Sequence, residues 1–153
     1  MDVENLKQIS FFSSLSTDEL NSILKITREL SFQKDQEIIQ QGRTHSSLFL
    51  VLEGVLHVNR KAEPSSVFLG RLEKGGFFGE ISFFDPGPAS ADVRAISRGM
   101  LCEIRREDFF KLIEQQPALG CKILTRMMHE MANRLRRVDQ RLAASVFWEG
   151  LKK

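Results

Sequence analysis

Two cysteines, Cys102 and Cys121, are all that this 153-residue chain contains. Their number and spacing exclude a disulfide framework and a cysteine-rich metal site, and lone thiols are expected as core residues in a reducing cytosol. Long apolar runs are missing as well. Nothing approaches the roughly 18 residues of a membrane helix. The opening Met1-Asp2-Val3-Glu4-Asn5 has neither the basic start nor the apolar core of a signal peptide, so a cytoplasmic protein is expected. Charge of one sign is scarce too: a formal net charge of +2 is no argument by itself for nucleic acid.

Catalytic signatures are equally absent. The chain has no Gly-x-Ser-x-Gly, no P-loop and no His-Glu-x-x-His. His45, His57 and His129 are scattered without carboxylate spacing and read as surface or interface residues. Glu80 and Asp85 form no catalytic pair on sequence distance alone. An enzyme is therefore not expected.

What is present is an ordinary globular composition, 42% hydrophobic and 27% charged, in a length that suits one domain with a proper core. The chain divides into zones. Residues 1–30 read as helical, with Ser16-Thr17-Asp18-Glu19 as a capping box ahead of the apolar stripe Leu20, Ile23, Leu24. Residues 31–106 hold eight of the ten glycines between short apolar runs: Glu37-Ile38-Ile39, Ser47 to Leu52, Val55 to Val58 and Val67-Phe68-Leu69. Short strands with glycine turns predict a sandwich or small barrel. Residues 107–148 return to helix, with Glu107 to Gln115 as one segment and Pro117 at the first turn of the next; residues 149–153 form a tail.

The last helix carries a regular seam. Leu124, Met128, Met131, Leu135, Val138 and Leu142 are spaced 4, 3, 4, 3, 4, about two and a half heptads. A second line, Leu119, Ile123 and Met127, serves for packing within the chain near the helix start. The heptad line is expected to meet a partner helix in a homodimer. Lys122, Arg126, Arg134, Arg136, Arg137 and Arg141 face only Glu130 and Asp139 as acids. That basic face reads as a solvated flank of the seam or as a patch for an acidic partner. Phe147-Trp148 either staples the tail to a partner chain or covers a pocket mouth.

The most informative stretch runs from Gly75 to Ala95. It contains Phe78-Gly79-Glu80-Ile81-Ser82, a loop broken by proline and glycine, and Ala89-Ser90-Ala91-Asp92-Val93. Together with Gln41-Gly42, Leu48 to Val58 and Leu72-Glu73-Lys74-Gly75, these residues resemble the cyclic nucleotide-binding domain of catabolite activator proteins and protein kinase A regulatory subunits. The resemblance covers roughly residues 10–140. It implies a mostly β fold: an eight-stranded antiparallel jelly-roll with N-terminal helices and a C-terminal pair of helices. It also implies a site. Phe78, Gly79, Glu80, Ile81 and Ser82 match the cassette whose amides meet a cyclic phosphate and whose glutamate accepts from the ribose hydroxyl. Ser90 and Ala91 match the small residues beside the phosphate. Ala89 falls where the family has its phosphate-binding arginine, and the base-capping position falls near Val138 and Asp139.

The resemblance thus implies cyclic AMP or cyclic GMP as ligand and no other cofactor. Losing a charged hydrogen-bonding partner removes about 1.5–3 kcal/mol, or roughly ten- to several-hundred-fold in affinity. Arg94 and Arg43 are the candidate replacement cations. Two readings stay open: a weak or altered small-molecule sensor, and a ligand-independent dimeric interaction module. Either one needs a protein partner to carry its output. The helix-turn-helix that follows the long helix in catabolite activators has no counterpart in the residues after Leu142, so DNA is not an expected partner.

Overall fold

The computed structural model describes residues 2–150, and the side chains of residues 2–143. Phe147 and Trp148 therefore lie outside the described side chains. The chain divides into two compact units, residues 1–115 and 116–153.

The first unit opens with α1 (Val3–Lys7) and α2 (Thr17–Leu24). The capping box forms as the sequence predicts. The Glu19 amide donates to Ser16 Oγ at 3.3 Å, and the Ser16 amide donates back to Glu19 Oε2 at 2.8 Å. Leu20 and Ile23 are the buried face of α2. The expected helical zone of residues 1–30 is too long, however. Helix ends at Leu24, the Thr27 hydroxyl donates to the Leu24 carbonyl, and β1 (Thr27–Phe32) begins there. Pairing against a distant strand outweighs the local helical pattern in this stretch.

The remaining strands are β2 (Glu37–Ile39), β3 (Ser47–Glu53), β4 (Leu56–Ala62), β5 (Ser65–Leu72), β6 (Phe77–Phe78), β7 (Asp92–Ala95) and β8 (Gly99–Arg105). A short α3 (Glu80–Phe84) sits between β6 and β7, and α4 (Arg106–Gln115) follows β8. They form two four-stranded antiparallel sheets, in the orders β1-β8-β3-β6 and β2-β7-β4-β5. Phe32, Phe49, Val51, Phe78 and Leu101 from the first sheet meet Ile39, Leu56, Val93 and Ala95 from the second in one core. This is the antiparallel β jelly-roll with flanking helices that the sequence implies.

Alternation along β3 shows how the sheet is covered on both sides. Phe49 and Val51 point into the barrel core, and Leu48 and Leu50 are fully buried on the opposite face. A strand hidden on both faces reads as a continuous apolar run, as Leu48 to Leu52 does. Phe11 closes part of the outer side, its ring edge-on to Phe77 at 5.4 Å. Each such buried ring contributes on the order of 1.5–3 kcal/mol.

The second unit is a single helix, α5 (Pro117–Gly150), about 50 Å long at 1.5 Å per residue. Pro117 occupies its first position, where a missing amide costs nothing. Its helical span runs to Gly150, past the expected tail boundary at residue 149. Leu119, Ile123 and Met127 are buried. Along the heptad line Leu124 and Met131 are half-buried, whereas Met128, Leu135, Val138 and Leu142 are 56–65% exposed. Val138 and Asp139, the expected base-capping pair, are both exposed. The two cysteines also differ. Cys102 is buried, and burial pushes its thiol up to about 12; Cys121 is exposed, not the core residue expected.

Candidate functional site

The site begins where β6 ends. Phe77 and Phe78 pair with Leu50 and Phe49 of β3, and the Phe78 and Phe49 rings stack at 5.1 Å. Gly79 then turns the chain with φ 86, in the left-handed region. A Cβ there would lie 2.6 Å from the Ser47 carbonyl oxygen and 3.1 Å from the His45 ring. Both the dihedral and the crowding demand glycine. The turn launches α3 directly, and the Phe83 amide donates to the Gly79 carbonyl at 3.0 Å.

The three residues after Gly79 fare differently. Glu80 is half-buried at the first position of α3. Ser82 is buried at 2% exposure, facing the protein interior. Ile81 points outward and is 51% exposed, so it contributes backbone to this turn and no side-chain wall.

The second half of the predicted site precedes β7. Ala89 and Ala91 are buried, and Ser90 between them is exposed. Ala89 belongs to the same core as Phe78 and Phe49, so the fold brings the two predicted segments to one region of the barrel. Arg94 follows on β7 but faces outward, opposite Glu37 and His57, away from the side that buries Val93 and Ala95. It is no replacement for an arginine at position 89.

A polar cluster pins this strand to the loop after β2. Asp92 Oδ1 accepts from the Gln41 amide at 2.7 Å, and its Oδ2 meets Lys61 Nζ at 2.9 Å. Burial raises the Asp92 carboxyl, but the Gln41 amide and the Lys61 ammonium outweigh it and hold the group below its ordinary value. Gln41 also bridges to β4, its Oε1 accepting from the Lys61 amide at 2.7 Å.

His45 is the functional candidate that sequence reasoning passed over as a bystander. It stands half-buried beside Gly79 with Phe49 at 6.3 Å between ring centres. Burial lowers its pKa, opposed by the Ser47 carbonyl and the Glu80 charge. Its buried Nδ1 has no hydrogen-bond partner of good geometry. With Arg43, Glu37, Ile39 and Phe49 it lines a cavity of about 270 Å³ at the β2–β3 loop. No spacing motif could flag His45, because its neighbours come from β3 and from the β6–α3 turn.

The family model for the cyclic nucleotide-binding domain matches residues 29–116, which run from within β1 through α4 and include every cassette residue. The chain belongs to the cyclic nucleotide-binding domain family. A cyclic nucleotide-binding domain from Methylobacillus flagellatus has the same fold, with a TM-score of 0.84 and 22% identity over 94% of this chain and 81% of that one. The Thermus thermophilus catabolite activator protein is 28% identical with a TM-score of 0.77, covering 90% of this chain and 63% of that one. A CRP-like cAMP-activated global transcriptional regulator from Mycobacterium tuberculosis is 23% identical over 145 residues, 94% of this chain. This chain spans 63% of that regulator's length. These relatives are regulators and binding domains. No described helix is long and apolar enough to cross a membrane.

Proposed function

We propose that this chain is a cytoplasmic cyclic nucleotide-responsive regulatory module that catalyses no reaction and hands its signal to a partner protein. The observation that carries the reading is the β6–α3 turn. Gly79 is held in the left-handed region where no side chain fits, and it delivers Glu80 at the start of α3 with Ala89 in the same core. A ribose hydroxyl donating to Glu80 and a phosphate near the α3 amides and Ser90 fit that arrangement. The absence of a guanidinium at position 89 makes the response weak. Two free thiols, one of them buried, agree with a reducing compartment.

The module works as a homodimer through α5. Met128, Leu135, Val138 and Leu142 keep heptad spacing on the helix and stay largely exposed, which is the pattern of a seam awaiting a second helix. Ligand binding would then bias one of two helix arrangements, as in other population-shift sensors.

A second reading is favoured by one observation. Ala89 is only 6% exposed and packs as a core residue, as in a ligand-independent interaction module. Calorimetric titration with cyclic AMP and cyclic GMP separates the two. Sensing predicts native binding weaker than about 10 µM and at least tenfold tighter binding by Ala89→Arg. No heat from either nucleotide with either protein would select the ligand-independent module.

A further inference from the structure

Position 89 brings no cation of its own, yet the backbone of Arg43 pairs directly beside it. The Gly42 amide donates to the Ala89 carbonyl at 2.9 Å, and the Ala89 amide donates to the Arg43 carbonyl at 2.9 Å. Thr44 bridges Pro88 alongside them. Gly42 and Arg43 therefore both answer to Ala89, in the manner of a glycine β-bulge, and Gly42 takes the left-handed conformation (φ 84) that such a bulge needs. Bulges re-aim the side chains beside them. Here the re-aimed residue is Arg43, and it lines the cavity shared with Thr44 and His45.

The cavity's electrostatics single it out further. Arg43 is the one permanent positive charge among the described lining residues. Burial disfavours a positive charge on His45 and lowers its pKa from the ordinary value. The lining acid, Glu37, sits at an exposed position in register with Arg94. Arg43 Nε donates to Gln40 Oε1 at 3.0 Å, which steadies the guanidinium on its loop using one of its five N–H donors. At about 270 Å³ the space lies just below the roughly 300–1,000 Å³ usual for ligand sites.

We propose that the β2–β3 loop supplies the anion anchor of this chain, with Arg43 standing in for the arginine missing at position 89. This rests on the nucleotide-sensing reading and names the residue that sustains it. An anchor on an exposed loop binds a phosphate less tightly than a buried one and responds more to salt.

The test is calorimetric titration of cyclic AMP and cyclic GMP into the native chain, Arg43→Ala, Ala89→Arg and the double variant. Arg43→Ala should weaken native binding at least tenfold, with Arg43→Lys in between. In the Ala89→Arg background the same Arg43→Ala change should matter less than about threefold, because the anchor has moved. Arg43 is exposed, so Arg43→Ala should melt with the native chain. If it does not, Arg43→Gln carries the same tenfold expectation with the side chain's length retained. Equal binding by the native chain and the Arg43 variants overturns the proposal and leaves nucleotide sensing standing. Silence from both the native chain and Ala89→Arg overturns sensing, and this anchor with it.

Discussion

Arg106 ties the cassette helix to α4. Its Nε donates to the Phe83 carbonyl at 2.9 Å, and its guanidinium lies 4.7 Å over the Phe110 ring. Phe83 packs in turn against Phe109 at 5.3 Å. One charged hydrogen bond and a cluster of rings thus link α3 to α4. Replacing Arg106 by alanine removes this bond to the carbonyl of the buried Phe83. The expected loss is about 1.5–3 kcal/mol, read as a melting temperature lower by several degrees. Arg106→Lys should recover only part of it, since an ammonium cannot reproduce the planar fork. A melting curve unchanged by Arg106→Ala would show that this link contributes nothing.

Gly79 should tolerate no side chain. Gly79→Ala places a Cβ 2.6 Å from the Ser47 carbonyl at φ 86, so crowding adds to a left-handed penalty of about 1–2 kcal/mol. Gly70→Ala is the control: nothing lies within 4 Å of its Cβ, and the change should fall within about 0.5 kcal/mol. Urea unfolding of both variants makes the comparison, and similar midpoints would contradict the strained turn.

The α5 seam predicts a change of mass. Leu135 is 62% exposed, and placing a carboxylate there would bury an unpaired charge in any helix pair built on that line. Leu135→Asp should sediment as a monomer where the native chain sediments as a dimer. The same mass for both proteins would remove the seam from the account.

Asp92 sets an acid limit on the barrel. Its folded pKa lies below the ordinary 3.8, so the stability it contributes is complete above pH 3.8 and is lost as pH falls through the folded value. Asp92→Asn should be less stable than the native chain at neutral pH. The gap should narrow as pH falls below 3.8. A gap that stays constant through that window would mean the carboxylate's charge is not what Gln41 and Lys61 recognise.

Much of this molecule was legible before its coordinates because the relevant chemistry is local. Ser16 and Glu19 cap α2 across a single turn, and Pro117 opens α5 where its ring fits. Each of these is decided by residues a few positions apart. The start of β1 was not legible in this way. Thr27 to Phe32 continues an acceptable helical pattern and becomes strand because β8 is there to pair with it. The same holds for the anchor question. Sequence set Arg43 and Arg94 side by side as candidates, and only strand pairing separated them: β7 turns Arg94 outward, whereas a bulge opposite Ala89 turns Arg43 toward the cavity. Local dihedral preferences travel with the chain, but the direction in which a side chain faces depends on register between distant segments, which packing alone selects.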